Sequence, residues 1–174
     1  WLRTGTDASA SALSAPAIQK AQIVHIASHG FVDDDVSART GLALAMVDDA
    51  GQPVTGFVGL RQIYNLNLEA ELVVLSACDT GLGRNLAGEG LLGLTRGFMY
   101  AGAKRVVASL WQVDDRATAT LMQYFYEGLL SDGLAPSVAL AQAKQRMQRE
   151  PRWRHPNYWS GFVLLGDWLP LSGG

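Results

Sequence analysis

Strand-like and helix-like segments alternate along the 174 residues, which predicts an α/β layered domain on a mostly parallel sheet. Three observations carry this. Short, β-branched apolar runs at 22–27, 72–77 and 105–110 read as buried strands. Longer segments near 89–101, 115–130 and 136–150 hold apolar residues at helical spacing. Gly, Pro and Asp separate the two kinds of segment.

Taken in order, the first fifteen residues are rich in Ser, Ala, Thr and Gly, with Thr6 or Asp7 able to cap a short helix that Pro16 breaks or restarts. A buried strand over 22–27 is expected to end at His29, before the acidic loop Asp33-Asp34-Asp35. A second strand is expected over 41–47, closed by turn chemistry at 48–53, and a short helix over about 59–66. Leu72-Val73-Val74-Leu75-Ser76-Ala77 is apolar on both faces, as a parallel strand should be, and ends at Cys78. The Gly-rich stretch 79–87 leads to a helix with Leu91, Leu94, Phe98 and Ala101 on one face. After the strand at 105–110, Asp114-Asp115 starts a helix presenting Leu121, Phe125 and Leu129. Gly133 stops it, Pro136 suits the first turn of the next helix, and Trp159 to Leu165 reads as a last strand.

Composition narrows the function classes. With 48% hydrophobic and 17% charged residues the chain is globular rather than disordered. A net charge of −2 without a Lys/Arg cluster gives no case for nucleic acid, and no apolar run approaches the roughly 18 residues of a membrane span. The single cysteine excludes an intramolecular disulfide and a multi-thiolate zinc site, and points to a reducing cytoplasm. The length fits one domain over 1–174. The opening Trp1-Leu2-Arg3, without an initiator Met or a signal-like stretch, reads as the cut end of a longer polypeptide.

Open α/β sheets bind ligands beyond the carboxyl ends of their strands, and His29 and Cys78 are both expected there. A thiolate attacks amide carbonyls and needs a partner that protonates the leaving amine. Caspase-type sequences place a His about 50 residues before an Ala-Cys motif; here Cys78 follows His29 by 49 residues, within Ser76-Ala77-Cys78-Asp79-Thr80-Gly81. Gln is replaced by Ser76, and the glycine comes one position later. The competing account is a buried core thiol for Cys78 and a turn-satisfying polar residue for His29. The closing position of Cys78 on its strand, the glycines after it, and Gly30, whose N–H can meet a developing oxyanion, favour chemistry.

Other features have plainer alternatives. Asp114 or Asp115 could pair with a basic substrate side chain, but capping the following helix is the simpler role. Asp79 is a second acidic candidate or a loop-backbone acceptor, and Trp111 lines a pocket or packs in the core. Gly88-Glu89-Gly90-Leu91-Leu92-Gly93 has the form of a nucleotide-binding glycine pattern, but no strand runs into it, so a glycine-rich helix start packed against the sheet is the better reading. His25 and His29 lack the zincin pattern, and the Asp33 run is most simply a solvated loop; neither a metal nor another cofactor is expected. His25 is expected to sit in the core or behind the site.

The motifs His25-Ile26-Ala27-Ser28-His29-Gly30, Leu75-Ser76-Ala77-Cys78-Asp79-Thr80-Gly81-Leu82-Gly83 and Gly88-Glu89-Gly90 together resemble the CHAT domain family. Ala101-Gly102-Ala103, Ser109-Leu110-Trp111 and His155-Pro156-Asn157-Tyr158-Trp159 extend the resemblance from about Ile18 to Asp167. It implies a caspase-hemoglobinase-like three-layer α/β/α sandwich and a cysteine endopeptidase acting on protein or peptide substrates. By the same likeness Cys78 is the nucleophile, His29 the general acid/base, and the N–H groups of Gly30 and Cys78 the oxyanion hole. CHAT domains often accompany tetratricopeptide repeats, which makes such a region an expected partner. They also usually carry a further N-terminal strand, so this chain is expected to lack that portion. The alternative is a catalytically inactive scaffold or regulatory interaction module on the same fold.

Overall fold

The structure, a computed structural model, describes residues 2–31, 39–76 and 89–171. After two short 3-10 turns at Gly5–Asp7 and Ala10–Ser14, Pro16 opens α1 (Pro16–Gln19), where its fixed φ suits a first helical turn. The elements that follow are β1 (Ile23–Ile26), β2 (His29–Phe31), β3 (Gly41–Ala43), β4 (Phe57–Gly59) and α2 (Leu60–Tyr64). Then come β5 (Leu72–Leu75), α3 (Glu89–Tyr100), β6 (Arg105–Ser109), α4 (Asp115–Tyr126), α5 (Pro136–Arg149) and β7 (Phe162–Gly166).

Two sheets form. The larger has the order β1-β5-β6-β7, with β1, β5 and β6 parallel and β7 antiparallel to β6. The chain is thus an α/β fold on a mixed, mostly parallel sheet. All four residues of β5 and all five of β6 are buried, the pattern of strands covered on both faces. Their side chains alternate between two cores. Val73, Leu75, Val106 and Ala108 pack with Ile63 of α2 and Leu91, Leu94 and Phe98 of α3. Leu72, Val74 and Val107 pack instead with Leu121 and Phe125 of α4 and Leu140, Ala143 and Met147 of α5. The period-2 switch between neighbours along each strand makes this division.

The smaller sheet, β2-β3-β4, is antiparallel and differs from expectation. One strand was expected to run to His29, but β1 stops at Ile26 and His29 opens β2 opposite Ala43. The Ser28 hydroxyl donates to the Ala43 carbonyl, drawing the chain out of the large sheet. Of the strand expected over 41–47, only Gly41–Ala43 stays in the ladder. Leu44 N–H bonds Gly56 (2.8 Å) and Ala45 N–H bonds Ala8 (2.9 Å). The last strand likewise starts late, at Phe162, because Pro156–Tyr158 forms a 3-10 turn first.

Two glycines hold their places for steric reasons. A Cβ on Gly97 would stand 3.1 Å from Ile63 Cγ2, so its absence lets α3 lie close on α2. Gly102 has φ +117°, and a Cβ there would collide with the Leu68 carbonyl oxygen. Leu91 and Leu94 pack this helix start against the sheet as expected, whereas Gly93 itself faces α2, at Leu60; Gly88 lies outside the described residues.

Candidate active site

A cavity of 510 Å³ opens beyond the carboxyl ends of β1, β5 and β6, where an open parallel sheet offers a site. His25, Ala27, Ser28 and His29 form one wall, Ser76 and Ser109 the strand tips, and Trp111, Gln112 and Val113 the turn after β6. Asp115, Thr118, Ala119 and Met122 of α4 and Phe162 of β7 complete it.

The structure gathers several of the residues singled out in the sequence. His29 is exposed, begins β2 and lines this cavity. It also lines a second hollow of 590 Å³ on the side of residues 2–13. Gly30 is buried in the β2–β3 ladder opposite Leu42. Trp111 is half-buried, donates its indole Nε1–H to the Asn157 carbonyl (3.0 Å) and stacks so closely over Gly161 that a Cβ there would come within 2.8 Å of the ring. Ser109 Oγ donates to the Trp111 carbonyl (2.7 Å), which fixes the turn.

The two neighbouring acids separate. Asp114 is the N-cap of α4: its Oδ1 accepts from the N–H groups of Arg116 and Ala117, both at 3.0 Å, and it is not among the cavity lining. Asp115, in the first helical turn, is exposed and lines the cavity. Cys78 and Asp79 lie outside the described residues, as does the run Asp33-Asp34-Asp35. His155 accepts from the Asn157 N–H (3.3 Å) and caps the turn at Pro156–Tyr158. Among the described residues no group of three or more His, Cys, Asp or Glu side chains could hold a metal ion. Among them, too, no helix is long and apolar enough to cross a membrane.

Sequence reasoning passed over several wall residues. Met122 and Phe162 are apolar residues of a helix and a strand that read as ordinary core. Ser76 stood out only as a departure from a Gln. Here its Oγ is 2.7 Å from His25 Nε2, while His25 Nδ1 is 3.1 Å from the Tyr126 hydroxyl. Burial lowers the His25 pKa by desolvation, although the residue as a whole is exposed. Burial pushes the Tyr126 phenol far above its ordinary range, so it remains a hydroxyl.

A mostly parallel α/β domain with a histidine-bearing cavity at its strand tips is the class of protein that this fold and site define. The particular family follows from comparison: the CHAT domain matches residues 2–167, and the chain belongs to the CHAT domain family. Among curated proteins it is similar to tetratricopeptide repeat protein 28 of Mus musculus, 38% identical over 110 residues, which cover 63% of this chain and 4% of that protein. The Homo sapiens protein of the same name is 36% identical over 110 residues, with the same coverage. The chain therefore spans only a small fraction of the length of these relatives.

Proposed function

We propose that the chain is the peptidase unit of a caspase-like cysteine endopeptidase with a three-layer caspase-hemoglobinase-like fold. The observation that carries this reading is His29 on the wall of a cavity beyond the tips of β1, β5 and β6, in a CHAT-family domain whose sequence places Cys78 three residues after β5. The Cys78 thiolate attacks the scissile carbonyl carbon, and the oxyanion forms against the N–H groups of Gly30 and Cys78. His29, as imidazolium, gives its proton to the leaving amine. Water then cleaves the thioester, His29 taking the water's proton and Cys78 leaving as thiolate.

Asp115 supports a preference at the bond cleaved. Its carboxylate stands on the same cavity as the apolar Met122 and Phe162, a combination that suits an aliphatic stem ending in a cation. Asp114, Trp111 and Asp79 act as a helix cap, a wall and a neighbour of the nucleophile in this reading. In a fluorogenic peptide library on the full-length protein, Cys78→Ala and His29→Ala abolish cleavage. Asp115→Asn weakens Arg and Lys substrates by about ten-fold, the order of one charge-assisted contact, while neutral ones change little. Cleavage that survives Cys78→Ala at the wild-type rate sinks the proposal.

A second reading is supported by the relatives' name. A CHAT domain in proteins named for tetratricopeptide repeats suits a regulatory interaction module, with such a region in the same or another chain as partner. That reading expects Cys78 to alkylate no faster than glutathione, and His29→Ala to leave the rate unaltered.

A further inference from the structure

Tyr126, His25 and Ser76 form a continuous hydrogen-bonded chain from α4, across β1, to the tip of β5. Its members come from distant parts of the sequence: His25 and Ser76 are 51 residues apart, His25 and Tyr126 101. It lies on the α4 face of the sheet, because His25 pairs with Val74, whose side chain packs in the α4–α5 core. The remaining β1 positions are Ile23, Val24 and Ile26, which a core strand would supply; the imidazole interrupts that pattern.

Each link is held from more than one side. Ser76 N–H donates to the Ile26 carbonyl (3.1 Å), so backbone and side chain of Ser76 both tie the end of β5 to β1. The Tyr126 and His25 rings stand 5.7 Å apart at 33°, and Phe125 flanks Tyr126 at 5.3 Å. Tyr126 is the last residue of α4, and the next residues, Glu127–Ser131, widen into a π-helical turn. Arg146 of α5 fixes that turn through Glu127 Oε2 (2.6 Å). Widened turns of this kind recur at functional sites.

We propose that the chain Tyr126–His25–Ser76 is a positioning device that sets the end of β5, and through it the cysteine two residues beyond Ser76, against His29. This rests on the peptidase reading for its consequence but not for its geometry. A neutral imidazole has one donor and one acceptor, so both partners are satisfied in a fixed direction: either Tyr126 donates to Nδ1 and Nε2–H to Ser76, or the reverse. The lowered pKa of His25 keeps it neutral. His25 and Ser76 line the cavity wall, and the proposed cleavage assigns them no proton or bond, so in this proposal their effect is exerted through Cys78 and His29.

The test uses the full-length protein with Tyr126→Phe, Ser76→Ala and Ser76→Thr, reading peptide-cleavage kcat and KM, the Cys78 alkylation rate and the melting temperature. An ångström of misplacement costs up to about a hundred-fold in rate, so partial loosening in Tyr126→Phe and Ser76→Ala lowers kcat and alkylation by about ten-fold with KM within about two-fold. Ser76→Thr, which keeps a hydroxyl, recovers most of both. If Tyr126→Phe and Ser76→Ala keep both rates within about two-fold of wild type, the device is refuted. Losses that only track a fallen melting temperature, without recovery by Ser76→Thr, refute it as well. If the wild type cleaves no peptide but the alkylation rates separate as stated, the peptidase reading falls and the positioning role stands.

Discussion

The two histidines of the first motif show how differently single residues reveal themselves. His29 stood out as a candidate because a cysteine follows it at a spacing of 49 residues, and the structure places His29 itself on the cavity wall. His25 was legible only as a residue of the core or of the site's surroundings, since nothing near it in sequence announces Ser76 or Tyr126. Its environment has a measurable consequence. Desolvation lowers its pKa below the ordinary 6.5, so in mild acid the unfolded chain takes up a proton that the folded chain refuses. Stability contributed by neutral His25 is present above pH about 6.5 and is lost as pH falls from there through its folded value. Tyr126 from α4 and Ser76 beside β1 bear on the ring without charge at these pH values, and His29 shares its cavity. His25→Gln should therefore flatten the decline of urea midpoint between pH 7 and 5. An unchanged slope would show that the ring is protonated equally in both states.

At the scale of elements, the pair Asp114-Asp115 illustrates what sequence leaves open. Two adjacent carboxylates before a helix predict a cap, yet which one caps depends on where helical φ/ψ begins, and that is set by the turn at Trp111–Val113. The observed φ −52° and ψ 133° put Asp114 outside the helix and in reach of two N–H groups, leaving Asp115 to the cavity. Asp114→Ala is thus expected to cost about 1 kcal/mol, a fall in melting temperature of about 2–4 °C for a chain of this size. Asp115→Ala should leave the melting temperature nearly unaltered; a larger loss there than at Asp114 would reverse the assignment. The strand ends tell a similar story. Apolar runs set where β5 and β6 lie, but the break between β1 and β2 comes from pairing with β3, which lies more than a dozen residues downstream.

At the scale of the whole molecule, an ion-paired end of the large sheet lies opposite the end that bears the cavity. At the amino ends of the parallel strands Arg105 is fully buried, with its Nη2 3.2 Å from Asp167 Oδ2 and 3.4 Å from Glu71 Oε2, and its Nη1 donating to the Leu169 carbonyl. Lys104 Nζ lies 2.5 Å from Glu71 Oε1. This cluster joins β6, the entry to β5 and the segment after β7, on the end of the sheet away from the cavity. Removing Glu71 leaves the fully buried Arg105 guanidinium with one carboxylate fewer, so Glu71→Ala should destabilise by about 3–5 kcal/mol. Chemical denaturation measures that loss, while Cys78 alkylation in native buffer should keep its wild-type rate. A loss under 1 kcal/mol would mean that the guanidinium is served by Asp167 and Leu169 alone.

From sequence alone came the α/β class, the positions of the long helices and central strands among the described residues, and the pairing of His29 with Cys78 as candidates. Each of these depends on local periodicity or on fixed spacing along the chain. The tertiary structure alone decided the second, antiparallel sheet, the choice of Asp115 over Asp114 for the cavity, and the link from Tyr126 through His25 to Ser76. These depend on hydrogen bonds and contacts between residues far apart in the chain, which local propensity does not encode.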